Sequence, residues 1–513
     1  MDENGKKVGF LQRALNWIER AVNALPHPAT LFALFALAAL VFSAIGHLLG
    51  WEAIHPATGE IIKPVNLLSE NGIHQILLKM VKNFTGFAPL GIVLVAMLGI
   101  GIAEQSGLIK VLIKVLVLKS PRHLITFVIV FAGIVSNVAS SVGYVLLVPL
   151  AGIIFHALGR HPIAGMAAAF AGVSGGFSAN LVLGTIDPLL AGLSQEAAHI
   201  LDPEYEVNPT ANYYFMVAST FVIALAGTLV TERLVEPRLG KYTGAEADHE
   251  DEYNTISKKE KKGLRGAFIA FLIILGITLW GILPSGGFLR GEEGGFLNSP
   301  LIKGVVAMIF IIAGAMGVVY GVIVGRFKND ADVMKGASDS MKTMSTYLVL
   351  VFFAAQFVAF FKWSNLGIII AVKGAGLLMS ADIGLIPLMI LFIILSASIN
   401  MLMGSASAKW ALLAPIFIPM FMIMGYSPEL SQMVYRIGDS VTNIISPMMS
   451  FFALIIAFVQ KYDPKAGIGT IVATMIPYSI AFFLFWVLLL IVWLIFGIPL
   501  GPDAGIHYEL PTN

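Results

Sequence analysis

The residues best suited to chemistry are a few polar groups in long apolar surroundings. The run Tyr435-Arg436-Ile437-Gly438-Asp439-Ser440-Val441-Thr442-Asn443 sets a guanidinium and a carboxylate about one helical turn apart. An ionisable group at membrane depth is costly to desolvate, so it is functional or paired. Asp439 suits three roles: proton carrier, cation ligand or partner of Arg436. Lys409 and Trp410 follow Gly404-Ser405-Ala406-Ser407. Lys409 is placed to meet a substrate carboxylate, and Trp410 to stack on an aromatic ring. The alternatives are a snorkelling lysine and a packed indole. Asp187, in Gly184-Thr185-Ile186-Asp187-Pro188, either joins this site or faces water at the outer end. Glu104 reads as a solvated helix-end residue. Pro428 and Pro447 bracket the segment that carries Asp439, where they either set kinks or are tolerated.

Other chemistries are excluded. The chain has no cysteine, so thiolate metal sites, disulfides and thiol nucleophiles are absent. The ten histidines show no H-E-x-x-H or H-x-x-E-H spacing, which leaves sodium as the only metal to consider. No G-x-x-x-x-G-K is present, so no ATP site and no cofactor are expected. Ile437-Gly438-Asp439 is similar to one aspartate motif of intramembrane aspartyl proteases. Ile437 replaces the required glycine, and Tyr462-Asp463 follows in a loop, so an enzyme is rejected.

The elements that position these residues must cross a membrane. Of 513 residues, 57% are hydrophobic and 12% charged, with a mean hydropathy of +0.85. Soluble chains carry roughly 25% charged residues. The net charge of +1 gives no sign of a nucleic-acid partner. Apolar segments long enough for about 30 Å of hydrocarbon lie near 28–50, 86–104, 163–190, 211–234, 265–284, 301–325, 345–362, 428–460 and 467–497. Pieces at 106–118 and 364–378 read as interfacial. Residues 1–27 read as an amphipathic segment on the membrane surface, not a cleavable signal. Lysines and arginines in short loops place the N-terminus and 235–264 in the cytoplasm. The acidic stretch 191–210 and the tail 501–513 then lie outside. Two apolar stretches, 122–158 and 384–427, are broken by small polar residues, and each must enter and leave on one face. They read as re-entrant hairpins.

These hairpin regions repeat. At an offset of 266, Ser141 matches Ser407, Leu146, Leu147 and Pro149 match Leu412, Leu413 and Pro415, and Gly172 and Ser174 match Gly438 and Ser440. After a three-residue gap, Asn180 matches Asn443. The helix closing the first copy ends inside and that closing the second ends outside. The expected fold is therefore all-α, with about nine transmembrane helices and two re-entrant hairpins in an inverted-topology repeat, as in many secondary transporters. The first repeat spans 28–234 and the second 265–500. Each hairpin is followed by an expected break in the next span, Ser174–Asn180 in the first copy and Gly438–Asn443 in the second, and irregular backbone at membrane depth is tolerated where it is buried or lines a cavity. Asn137, Ser140, Ser141, Asn180, Ser405 and Asn443 offer oxygens for a hard cation such as sodium. Freed N–H groups at half-helix starts suit an anion.

The stretches Gly404–Trp410, Tyr435–Asn443 and Ser136–Asn180 resemble the AbgT family of p-aminobenzoyl-glutamate transporters. That resemblance implies a homodimer, each subunit with nine transmembrane helices, two hairpins and a cytoplasm-facing basin, in a bacterial cytoplasmic (inner) membrane. It implies import of p-aminobenzoyl-glutamate, a folate breakdown product, or export of sulfonamide antimetabolites, driven by a proton or sodium gradient. It places functional positions on Asp187, Ser407, Trp410, Pro428, Arg436, Asp439 and Pro447. Both ligand classes carry a para-substituted aniline ring, which Trp410 could stack on. Arg436 or Lys409 could meet their negative charge. The competing transport reading is a sodium-coupled dicarboxylate-type carrier of related architecture. A passive channel fits the paired breaks less well.

Overall fold

The computed structural model describes residues 28–54, 59–138, 143–242, 256–291, 299–447 and 449–510. The expected surface segment 1–27, the tip residues Ser140 and Ser141, and the middle of the cytoplasmic loop lie outside them.

Helices dominate because a backbone in hydrocarbon must satisfy its own polar groups. Helix α1 (Pro28–Leu48) packs on a later helix, with Phe32 and Phe35 6.1 and 5.8 Å from Phe357 between ring centroids. Next come α2 (Glu70–Thr85) and α3 (Ala88–Ser106), separated only by Gly86 and Phe87. The span expected at 86–104 is thus the second half of a longer run. Helix α4 (Leu108–Leu118) turns through 112° into the segment Arg122–Val138.

The first hairpin region consists of α5 (Ile125–Val135), a tip, and α6 (Val148–Ala157). It is followed by α7 (Pro162–Phe170), which ends in the wide turn Ala171–Gly175, then irregular backbone, α8 (Ile186–Ala198) and α9 (Tyr213–Val230). Helices α10 (Lys258–Ile282), α11 (Val305–Val324), α12 (Asp330–Thr343), α13 (Ser345–Trp363) and α14 (Leu366–Ser380) lead to the second region. That region repeats the order: α15 (Leu385–Asn400), a tip, α16 (Ala406–Ile423), α17 (Pro428–Asn443), irregular backbone, α18 (Phe452–Gln460) and α19 (Ile468–Phe496).

The spans expected at 163–190 and 428–460 are both broken, the first at Gly175-Gly176 inside the expected break. The second break falls later than expected: Gly438–Asn443 completes a regular helix, and the ladder stops only at Ile444–Pro447. The acidic segment expected outside from 191 begins as the buried second half of α8. By length and composition, eight helices of the described residues can cross a membrane, or nine if the bent pair at α4 is one span. Phe268, Ile273 and Trp280 on α10 and Leu484, Leu488 and Ile495 on α19 are exposed. Such an apolar exterior suits lipid and not water.

The two regions exchange their broken helices. Helix α8 leaves its own hairpin and packs on α16 and α17, while α18 packs on α6 and α7. The C-terminal tail is also built in. Ser427 N donates to Ile506 O at 2.9 Å and Tyr508 N to Gly425 O at 2.9 Å, which pins the turn between α16 and α17.

Candidate functional site

Helix α17 opens with Pro428 in its first turn and Ser427 as its cap, the Ser427 Oγ accepting from Leu430 N at 3.1 Å. Proline is suited to that position because the missing N–H would be unpaired anyway. One turn separates Arg436 from Asp439, and both side chains are buried. The structure does not pair them with each other. Asp439 Oδ1 pairs with Lys409 Nζ, which also donates to Asn400 Oδ1. The Asn400 amide is fixed in turn: Asp439 O, Thr442 Oγ1 and Asn443 Oδ1 lie 2.7, 2.9 and 2.9 Å from its Nδ2. Lys409 is fully buried and does not snorkel.

Arg436 reaches α8. Its Nη2 lies 2.7 Å from Asp187 Oδ1. The other oxygen, Oδ2, accepts from Gly184 N at 2.6 Å. Asp187 is thus buried in the first turn of α8, where a helix N-terminus favours negative charge. It does not face outer water. The contact with Arg436 is close but poorly directed. Asp187 Oδ1 receives no aligned hydrogen bond, and Arg436 Nε has no partner among the described residues. A buried guanidinium with a spare donor can bind an anion.

Trp410 is also placed differently from expectation. Its indole is fully buried and stacked on Tyr435, with centroids 4.5 Å apart and planes 23° apart. Its Nε1 donates to Ser194 Oγ at 2.9 Å, and Ser194 Oγ donates to Gln432 Oε1 at 2.6 Å. Gln432 Nε2 donates to Asn212 Oδ1 at 2.7 Å. This chain of contacts locks α16, α8 and α17 together, so in this conformation Trp410 joins helices and meets no open cavity.

The cation candidates separate. Asn180 Oδ1 accepts from Leu181 N and Val182 N at 2.8 and 3.3 Å and so caps its own break. Asn137 is buried and donates from Nδ2 to Ile134 O at 3.1 Å, and its Oδ1 has no partner among the described residues. Ser405 caps α16 by accepting from Ala408 N at 3.3 Å, and its Oγ is 3.4 Å from that of Ser407. Asn443 faces both Asn400 and Asp439. Pro447 is half-buried within the second break. Sequence reasoning missed Asn400, Ser194, Gln432 and Tyr435. Asn400 had a signal: it ends the apolar run Leu385–Ile399. The other three are ordinary helix residues whose partners lie on distant segments.

The two breaks cross beside these pairs. Ser178 N donates to Ser440 Oγ at 3.1 Å, and Ser174 Oγ donates to Met449 Sδ at 3.0 Å. Tyr144 stacks on Phe451 with centroids 4.4 Å apart. Two buried ion pairs, one spare guanidinium donor and two broken helices thus meet in one region.

The chain is similar to known proteins along nearly its whole length. The p-aminobenzoyl-glutamate transport protein of Escherichia coli (strain K12) is 37% identical over 495 residues, 96% of each chain. The Neisseria gonorrhoeae MtrF structure, described with a class of antimetabolite efflux pumps, superposes with a TM-score of 0.91 at 51% identity, covering 96% of this chain and 100% of that one. The Alcanivorax borkumensis YdaH transporter superposes with a TM-score of 0.89 at 47% identity, covering 93% and 100%. The AbgT putative transporter family model matches residues 13–508. With its broken helices and buried pairs inside that match, this chain belongs to the AbgT putative transporter family and is a multi-pass membrane transporter.

Proposed function

We propose that this transporter moves p-aminobenzoyl-glutamate-like folate catabolites or sulfonamide antimetabolites, driven by a proton or sodium gradient. The observation that carries this reading is Arg436, a buried guanidinium with an unpartnered Nε where the two breaks cross. It matches the carboxylates of the first ligand class and the ionised amide of the second. The named relatives favour these aromatic ligands over dicarboxylates. Helices of the same order in the two halves, with exchanged half-helices, support an inverted repeat and alternating access around a fixed site. The reading includes no catalytic centre. It places a homodimer in the bacterial inner membrane with its N-terminus in the cytoplasm.

The test is transport by purified protein in liposomes, with proton and sodium gradients imposed separately. Either ligand should move against its own gradient under one of the two, and Arg436→Met should abolish this. Movement independent of both gradients would overturn the reading.

A further inference from the structure

Lys409 sits in the first turn of α16, where the partial positive charge of a helix N-terminus disfavours a cation. It has no counterpart in the first copy. At the offset of 266, the residues matching Asn400, Lys409 and Asp439 are Ile134, Gly143 and Val173. Two contacts of the second copy are matched among these positions. A Cβ on Gly143 would lie 2.8 Å from Val173 Cγ2, and one on Gly176 would press on Ile134 Cγ1. In the second copy Lys409 meets Asp439, and Asn400 meets Thr442, which matches Gly176. The first hairpin therefore packs on its broken helix with no charge at these positions. In the second, an ammonium, a carboxylate and an amide oxygen stand there together.

The geometry of that set is a cation site. Asp439 and Asn400 each aim an oxygen at Lys409 Nζ, and hard oxygens of this kind are what an alkali cation takes. The Asn400 amide cannot turn away, because three oxygens surround its Nδ2. We infer that Lys409 is an ion-selecting residue: its ammonium is a tethered cation that fills the oxygen cradle and keeps sodium out of the second hairpin. The inference rests on the transport reading only for its consequence, that the second copy contributes no sodium to the transport cycle.

The test uses the full chain in detergent, without substrate or gradient. Thermal unfolding is compared in sodium chloride and choline chloride at equal ionic strength, together with binding of radioactive sodium. In the parent, any difference between the two salts should survive Asn400→Ala, since it cannot come from the filled cradle. Lys409→Gly, which installs the first copy's residue, should unfold several degrees higher in sodium, because a ligand of the folded state stabilises it. It should also bind sodium, and adding Asn400→Ala should remove both effects. The double variant Lys409→Gly with Asp439→Val installs the first copy's apolar pair and should fold without responding to sodium. Sodium stabilisation of the parent that Asn400→Ala abolishes would overturn the inference. So would a folded Lys409→Gly that binds no sodium. If Lys409→Gly folds in neither salt, sodium is no substitute for the ammonium, and the inference fails as well. This measurement can fail while the liposome result stands, and the liposome experiment can fail while the cradle behaves as described.

Discussion

In the first copy Gly172 lies against the backbone of Val130. In the second, Gly438 lies against Ile393 and Ser396, and Ser396 is the position matching Val130. Each glycine brings a broken helix onto the first helix of a hairpin more closely than a Cβ allows. The shared contact is made by backbone and small residues. The chemistry around it is not shared: Lys409, Asp439 and Arg436 in the second copy face Gly143, Val173 and Phe170 at the matching positions of the first. A hairpin that closes on apolar residues in one copy has no need of buried charge in the other for packing alone. Buried ion pairs are also weak contributors to stability, since desolvation offsets much of their attraction. The charges of the second copy are therefore best understood as functional, and the first copy as the scaffold they depart from.

The largest effect should come from breaking one charged pair on one side. Asp439→Ala leaves Lys409 buried and unpaired, at a cost of about 3–5 kcal/mol. Thermal unfolding should show that loss, and liposome transport should be abolished. Adding Lys409→Met should restore most of the stability but not transport. If the double variant transports normally, the second copy's charges are as dispensable as their absence in the first suggests, and the contrast between the copies loses its meaning.

The stacked aromatics come next. Trp410→Ala removes an indole packed on Tyr435, and truncations of this size cost ~3–5 kcal/mol. Trp410→Phe keeps a ring and loses the hydrogen bond to Ser194, so it should cost less. Ligand binding per folded molecule should be unchanged in both variants. A tenfold or greater loss of binding by stable Trp410→Phe would mean that the indole meets the ligand in another conformation.

How much of this was legible beforehand depended on range. The register of the repeat was readable because Ser, Gly, Pro and Asn recur at one offset, and such residues are not interchangeable with the apolar background. The first break was readable because Gly175-Gly176 does not sustain a helix, whereas the second was read one turn too early, at Gly438–Asn443, because Gly438 serves a close helix contact and not a break. Arg436 and Asp439 were the natural pair in sequence because one turn separates them. Their true partners, Asp187 and Lys409, come from other helices, and only the exchange of α8 between the halves brings Asp187 within reach. Trp410 could be read as an exposed stacking platform because nothing local shows that Tyr435 covers its face. Pairings set by tertiary packing leave no periodic trace.

The glycine contacts give a smaller effect and test the shared part of the comparison. Gly172→Ala and Gly438→Ala each drive a methyl group into a neighbouring backbone. Overpacking of this kind costs ~1–3 kcal/mol. The two variants should lose similar stability, read as equal shifts in unfolding temperature. Only Gly438→Ala, one residue from Asp439, should also slow transport per folded molecule. A large stability loss from one and none from the other would show that the two hairpins do not close on their broken helices in the same way.

The smallest effect lies where the breaks touch. Ser440 Oγ accepts from the backbone N–H of Ser178, and Ser174 Oγ reaches side chains only, the thioether of Met449 and the hydroxyl of Tyr144. The matching serines thus do unequal things. Ser440→Ala leaves a buried amide without its partner, and such a group costs more than the bond itself is worth. The irregular backbone around Ser178 can relax, so the loss should be ~1 kcal/mol, the low end for an unsatisfied buried donor. Ser174→Ala removes side-chain contacts to the Met449 sulfur and the Tyr144 hydroxyl and leaves no buried backbone group without its partner, so it should cost less, ~0.5 kcal/mol, the low end for a side-chain hydrogen bond. Unfolding curves of the two variants, measured side by side, separate these outcomes. Equal losses would mean that the link between the breaks is carried by packing, such as Tyr144 on Phe451, and that the serine pair is a remnant of the repeat and not the contact joining its halves.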